Sequence, residues 1–162
     1  QTIFSEELLM KMLRVPPDEM LLVETHGDLF AWDIELDQPA PPPVTSLTKA
    51  QMVLACETID DVNHNRRPDM TTEQATELAN SDYAEPRLIG TVNGDEIYRY
   101  PVNDMNEIGC NIGVSKQADG SLRIRYYGNS YGNIWGDSPL PERPEWTIGY
   151  RYLVPPGESF LK

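Results

Sequence analysis

The dipeptide Asn93-Gly94, set between "RLIGTV" (87–92) and "DEIYRY" (95–100), constrains this chain more than any other feature. Asn and Gly both tolerate the positive φ angles of a type I′ turn, whose twist suits two antiparallel strands, so the stretch reads as a β-hairpin. A second hairpin follows from "CNIGVSK", a turn at Asp119-Gly120 and "SLRIRYY", and "WTIGYRYLV" supplies one more strand. Upstream of Arg87 the apolar period is mostly 3.6 instead of 2. The expected class is therefore α+β, with helices inside residues 4–80 packed on a hairpin-built, mostly antiparallel sheet inside residues 88–154.

Within the first half, Phe4, Leu8 and Met12, with Leu9 and Leu13 beside them, recur at helical spacing behind Ser5, and Pro16-Pro17 ends the pattern. Ser46 or Thr48 can cap a helix running to about Ile59, with Met52, Val53, Cys56 and Ile59 on its apolar side. Thr71 or Thr72 can cap another through Ala75, Leu78 and Ala79. In "DLFAWDIEL" the residues Phe30, Trp32, Ile34 and Leu36 alternate with Ala31, Asp33 and Glu35, which predicts a strand with "LLVE" as its hairpin partner. "DQPAPPPV" favours extended polyproline II, so residues 38–44 are read as a stiff connector inside one domain spanning 1–162.

Charge limits the partners. The chain has a formal net charge of −13, which disfavours duplex nucleic acid and anionic membrane. Residues 1–86 carry 17 acidic and 5 basic side chains, whereas residues 87–162 carry 9 and 8, so the acidity belongs to the helical half. No apolar run reaches the roughly 18 residues of a membrane span, and a soluble protein is expected. The start at Gln1 fits a cleaved signal peptide, hence a secreted or periplasmic protein, or a cytoplasmic chain without its first residue. Cys56 and Cys110 permit one disulfide, but spacing alone leaves pairing and two buried thiols equally open.

Catalytic motifs are scarce. His26 and His64 are the imidazoles, and no HExxH, CxxC, GxSxG or glycine-rich phosphate loop occurs. A Cys56/His64 dyad would require the loop after the helix to fold back, and paired carboxylates such as Asp60 and Asp61 are too common here to single out. The stretch "DVNHNRRPD" (61–69) places oxygen-bearing side chains at Asp61, Asn63, Asn65 and Asp69. It resembles the DxDxDG loop of EF-hand-like and thrombospondin-type calcium modules, and the resemblance implies Ca²⁺ held by those four residues in a secreted or periplasmic module. Arg66 stands where that pattern has its turn glycine and Thr72 where it has a bidentate acid, so an Asn/Asp turn that caps the next helix is the leading reading.

Interaction chemistry is richer. Seven of the eight Tyr fall between residues 98 and 152, alternating in places with Arg123, Arg125 and Arg151. Residues 128–145, rich in Gly, Pro and Asn, carry Tyr131, Ile134 and Trp135, and loops of that length are frequently binding loops. The expectation is an acidic interaction module, such as an inhibitor or immunity-type binder of a basic protein, meeting its partner through these six residues. A calcium-binding module and a small hydrolase with an unrecognised site are the alternatives.

Overall fold

The computed structural model describes residues 14, 23–32, 34, 41–81, 85–101, 108–131 and 139–159. The expected N-terminal helix over residues 4–13, residues 38–40 of the 38–44 connector, and Ile134 and Trp135 lie outside them. The described part is α+β: helices α1 (His26–Ala31), α2 (Lys49–Asn63) and α3 (Thr72–Ala79), then strands β1 (Arg87–Val92), β2 (Asp95–Pro101), β3 (Ile108–Lys116), β4 (Leu122–Tyr131) and β5 (Trp146–Thr147). A 3₁₀ turn, Tyr150–Leu153, follows. All strand pairs are antiparallel, in the order β1-β2-β3-β4-β5, so each strand lies beside its sequence neighbour.

Each helix begins with a capping box in which a Thr hydroxyl accepts from the third helical amide while that residue's side chain reaches back: Thr25 with Asp28, Thr48 with Gln51, Thr71 with Gln74. Such reciprocal caps satisfy amide groups that a helix start leaves without partners. In the first hairpin, Asn93 at φ 52° and Gly94 at φ 83° make the left-handed turn that the dipeptide predicts.

Strand alternation gives the sheet two different faces. Tyr100, Cys110, Ile112, Ile124 and Tyr126 point to one side and form a core with Val53, Ala55, Cys56 and Ile59 of α2 and with Tyr152 and Leu153 of the 3₁₀ turn. Full burial of an aliphatic side chain such as Ile59 or Val53 is worth about 1.5–3 kcal/mol, so this interface is the main apolar reservoir of the fold. Register places Asp95, Ile97, Arg99, Asn111, Gly113, Arg125 and Tyr127 on the opposite side. That second face is also closed: Asp95, Ile97, Arg99 and Asn111 are all at most 1% exposed.

Four expectations need correction. Residues 26–31 are helical, because the Thr25–Asp28 capping box and the Trp32 amide bonded to the Asp28 carbonyl override the alternating pattern. Residues 23 and 24, the described part of "LLVE", form no strand, and Thr25 bridges Ser159 instead. The last predicted strand shrinks to Trp146–Thr147, after which Gly149 leads into the 3₁₀ turn. Helix α2 also runs one turn past Ile59, to Asn63.

Candidate functional site

The polar stretch 60–70 turns out to be an internal staple. The Arg66 guanidinium spans two carboxylates, with Nη2 2.5 Å from Asp60 Oδ2 and Nε 2.7 Å from Asp61 Oδ1. Arg67 reaches across to α1, donating to Thr25 Oγ1 at 3.2 Å and pairing with Asp28 Oδ1 at 3.0 Å. Burial alone would raise the Asp28 pKa, but hydrogen bonds from the Thr25 and Glu24 amides and the Thr25 hydroxyl, with the Arg67 charge, hold it below the ordinary carboxylate value. Pro68 is buried, and its carbonyl sits so close to Gly27 that a Cβ there would collide with it.

This arrangement answers the calcium resemblance. Asp61 and Asn63 lie inside α2, where two residues' separation turns side chains about 200° apart and cannot present both to one ion. Asp61 is already bonded to Arg66, Asn65 occupies a left-handed turn at φ 53°, and Asp69 is exposed. Among the described residues no group of three His, Cys, Asp or Glu gathers to hold a metal.

The thiols are equally committed. Cys56 and Cys110 form a disulfide, with Cα atoms 5.8 Å apart and both residues 1% exposed, which removes the Cys56/His64 dyad. His64 is half exposed, its Nδ1 lying 2.8 Å from the Asp60 carbonyl and 3.3 Å from Asp60 Oδ1. His26 is half-buried, and burial lowers its pKa against the opposing pull of Glu158.

On the sheet, the predicted basic residues separate. Arg125 is bound to the fully buried Asp95, at 2.5 Å from Nη2 to Oδ2, with Arg123 3.8 Å from Oδ1 and the Tyr127 hydroxyl donating to Oδ2 at 2.8 Å. Burial would push Asp95 up, yet Arg125, Ser115 and Tyr127 hold it below the ordinary value. Arg151 lies elsewhere, stacked 5.1 Å from the Phe30 ring centre and 5.2 Å from that of Tyr152. Arg125 therefore spends its guanidinium on Asp95, Arg151 is exposed while stacking on Phe30 and Tyr152, and Tyr100, Tyr126, Tyr127 and Tyr152 are buried. Tyr131 ends β4 opposite Ile108.

The described end of the 128–145 segment closes the second sheet face. The Pro139 carbonyl accepts from Arg99 Nη2 at 3.4 Å, the Leu140 side chain fills the space over Gly90, and the Glu145 amide donates to the Tyr126 carbonyl at 2.8 Å. Beneath it, Arg99 Nε donates to Asn111 Oδ1 at 2.9 Å, and Asn111 Nδ2 donates to the Gly128 carbonyl and to Ser130 Oγ.

Neither a known protein family, nor a curated protein, nor a solved structure matches this chain. Function must be read from the side chains alone.

Two features emerge that the sequence reading did not single out. Glu57, mostly buried in α2, has its pKa raised to about 7 by burial, with Asp60 and Asp61 adding to the rise and a hydrogen bond from Tyr100 opposing it. An acid between Cys56 and Ile59 on an apolar helix stretch was the available signal. The second is an outward acidic group, Asp69, Glu73 and Glu77, spaced four residues apart through the start and length of α3. Glu158 joins it by accepting from the Thr72 hydroxyl at 2.5 Å. Among the described residues no helix is long and apolar enough to cross a membrane.

Proposed function

We propose that the chain is an acidic, disulfide-clamped interaction module that binds a basic protein partner through the outer face of α3. The observation that carries this reading is how the charges between residues 41 and 81 are spent. All three basic side chains there are engaged internally: Lys49 with Glu85 at 2.7 Å, Arg66 with Asp60 and Asp61, Arg67 with Asp28. Asp69, Glu73 and Glu77 are exposed and make no ion pair among the described residues. Glu73 suits the positive end of α3, but Glu77 does not, and like charges four residues apart on a helix repel by about 0.2–0.5 kcal/mol. An unrepaid repulsion on a solvated face is what a basic partner would relieve.

The buried disulfide supports an oxidising compartment, secreted or periplasmic, since cytosolic thiols are kept reduced. A net charge of −13 supports a protein partner over duplex nucleic acid. The test is capture by the immobilised chain compared with its D69N/E73Q/E77Q variant, with E96Q in β2 as a control outside α3. Binding should fall steeply with added salt and be lost in the triple variant only. Salt-insensitive capture, or equal capture by the variant, would refute the reading.

A further inference from the structure

Asn93 and Gly94 are both exposed and form the two-residue turn between β1 and β2, with Val92 paired to Asp95 directly behind them. Asn-Gly occurs once in the chain. Asparagine is a chemically labile residue, and one followed by glycine carries its own attacking group: the next backbone nitrogen can close a five-membered ring on the amide carbon, and glycine puts no side chain in the way. At Gly94 the approach is open. Among the described residues, no heavy atom beyond its chain neighbours lies within 4 Å of where a Cβ would stand.

The other described asparagines lack these conditions. Asn65 has the same left-handed backbone, φ 53° against 52° for Asn93, but the nitrogen after it belongs to Arg66 and donates to the Asp61 carbonyl at 2.8 Å. Asn63 ends α2 and Asn80 caps α3, and they precede His64 and Ser81. Asn111 is buried and precedes Ile112, while Asn129 lies within β4 with its Oδ1 accepting from the Tyr126 hydroxyl at 2.9 Å. Asp119-Gly120 has the right neighbour, but its carboxylate accepts from the Ser121 amide at 2.9 Å and the Ser121 hydroxyl at 2.6 Å, and it has no ammonia to release.

We propose that Asn93 is a self-modification site, at which the chain converts its own side-chain amide to a carboxylate and thereby loosens the first hairpin. The Gly94 nitrogen gives its proton to solvent base and attacks Asn93 Cγ. A carbon–nitrogen bond forms there as the Cγ–Nδ2 bond breaks and ammonia leaves, giving a cyclic imide. Water then opens the imide. Breaking the new Cγ–nitrogen bond yields aspartate on the original backbone, whereas breaking the original peptide bond routes the backbone through Cβ and Cγ as isoaspartate. In all, one water enters and one ammonia leaves.

The product changes the hairpin tip in two ways. Asn93 Nδ2 donates to the Glu142 carbonyl at 3.5 Å, and a carboxylate in its place has no proton to give, so this tie to the segment covering the second sheet face is lost. Isoaspartate also lengthens the turn by one carbon–carbon bond, about 1.5 Å. The residues on either side of the turn are both held by Tyr127, whose hydroxyl lies 3.4 Å from the Val92 carbonyl and 2.8 Å from Asp95 Oδ2, so a two-residue turn has no slack to absorb the extra atom. Because the Val92–Asp95 pair holds the turn closed, ring closure waits for brief openings of the tip, and its rate reports how often the tip frays.

The test is timed incubation of the oxidised full chain in warm, mildly alkaline buffer, with peptide mapping by mass spectrometry and isoaspartyl methyltransferase labelling, beside a synthetic peptide of residues 87–100. Conversion should concentrate at Asn93, proceed more slowly than in the peptide and give isoaspartate as the main product. N93G, which suits the turn and has no amide, should show none in this segment. The converted chain, separated by its extra negative charge, should exchange the amides of β1 several-fold faster than the unconverted one. A chain left unchanged when the peptide has fully reacted would overturn the proposal, as would conversion spread evenly over Asn65, Asn80 and Asn129. Equal exchange in converted and unconverted chains would overturn the loosening.

Discussion

Removing the Cys56–Cys110 bond is the perturbation whose consequence is most directly calculable. The bond closes a loop with a sequence separation of 54 residues. In the chain-entropy treatment, a cross-link of that span removes about 14 cal/mol/K from the unfolded ensemble, or about 4 kcal/mol at 25 °C. For a domain whose whole stability is about 5–15 kcal/mol, that is a large share. Because both residues are 1% exposed, a Cys→Ser pair would add buried hydroxyls to the measured cost, so C56A/C110A isolates the cross-link better. Urea unfolding of this variant should show a loss of about 4 kcal/mol and a steeper denaturant dependence, since the unlinked chain exposes more surface when unfolded. The melting temperature should fall by about 8–16 °C. Thiol reduction of the wild type should reproduce both changes. A loss below about 1 kcal/mol, with the slope unchanged, would show that the cross-link does not restrict the unfolded state as argued.

Asp95→Asn should cost about 3–5 kcal/mol in urea unfolding, because it leaves the largely buried Arg125 without its counter-charge; a loss under 1 kcal/mol would mean the Asp95 cluster contributes little. The same carboxylate, with Asp28, has a folded pKa below its ordinary 3.8, so their stabilisation is present above that value and is lost as the pH drops through the folded pKa; an acid titration followed by near-UV circular dichroism should show that loss, and D95N should show less of it. Asn93→Ala should cost about 1 kcal/mol and Asn93→Gly little, since φ 52° suits Asn and Gly and penalises a Cβ without a polar partner; equal losses would contradict the turn assignment. Millimolar Ca²⁺ should leave the melting temperature where chelator leaves it, because Asp61 is held by Arg66 inside a helix; an upward shift abolished by Asp61→Ala would reverse this.

Much of the fold is written in local signals. Asn93-Gly94 and Asp119-Gly120 announce two hairpins because only certain residues accept their turn angles, and Thr48 and Thr71 announce two helices because a hydroxyl followed three residues later by Gln forms a reciprocal cap. The same logic applied to Thr25 and Asp28 would have identified α1, where the alternation of Phe30, Trp32 and Ile34 suggested a strand. The site was far less legible. Whether Arg125 greets a partner or a buried Asp95 depends on a cross-strand register linking residues 30 apart in sequence, and whether Cys56 is a thiol or half of a disulfide depends on a distance across the core. Arg66 was visible as a departure from the calcium pattern, but its use as a staple to Asp60 and Asp61, and that of Arg67 to Asp28, required the fold.

The placement of the cross-link also sets what happens when the backbone is cut. Cys56 lies in the helical half and Cys110 in the sheet, so hydrolysis of any peptide bond between them adds one water and releases nothing. The exposed hairpin tip at Asn93-Gly94 is inside that span and is the kind of site proteases prefer. A chain nicked there would keep both pieces covalently together through a bond buried where reductants have little access. It would run as one species on a non-reducing gel and as two on a reducing one. For a molecule working among proteases, a severed loop would then be a tolerable injury.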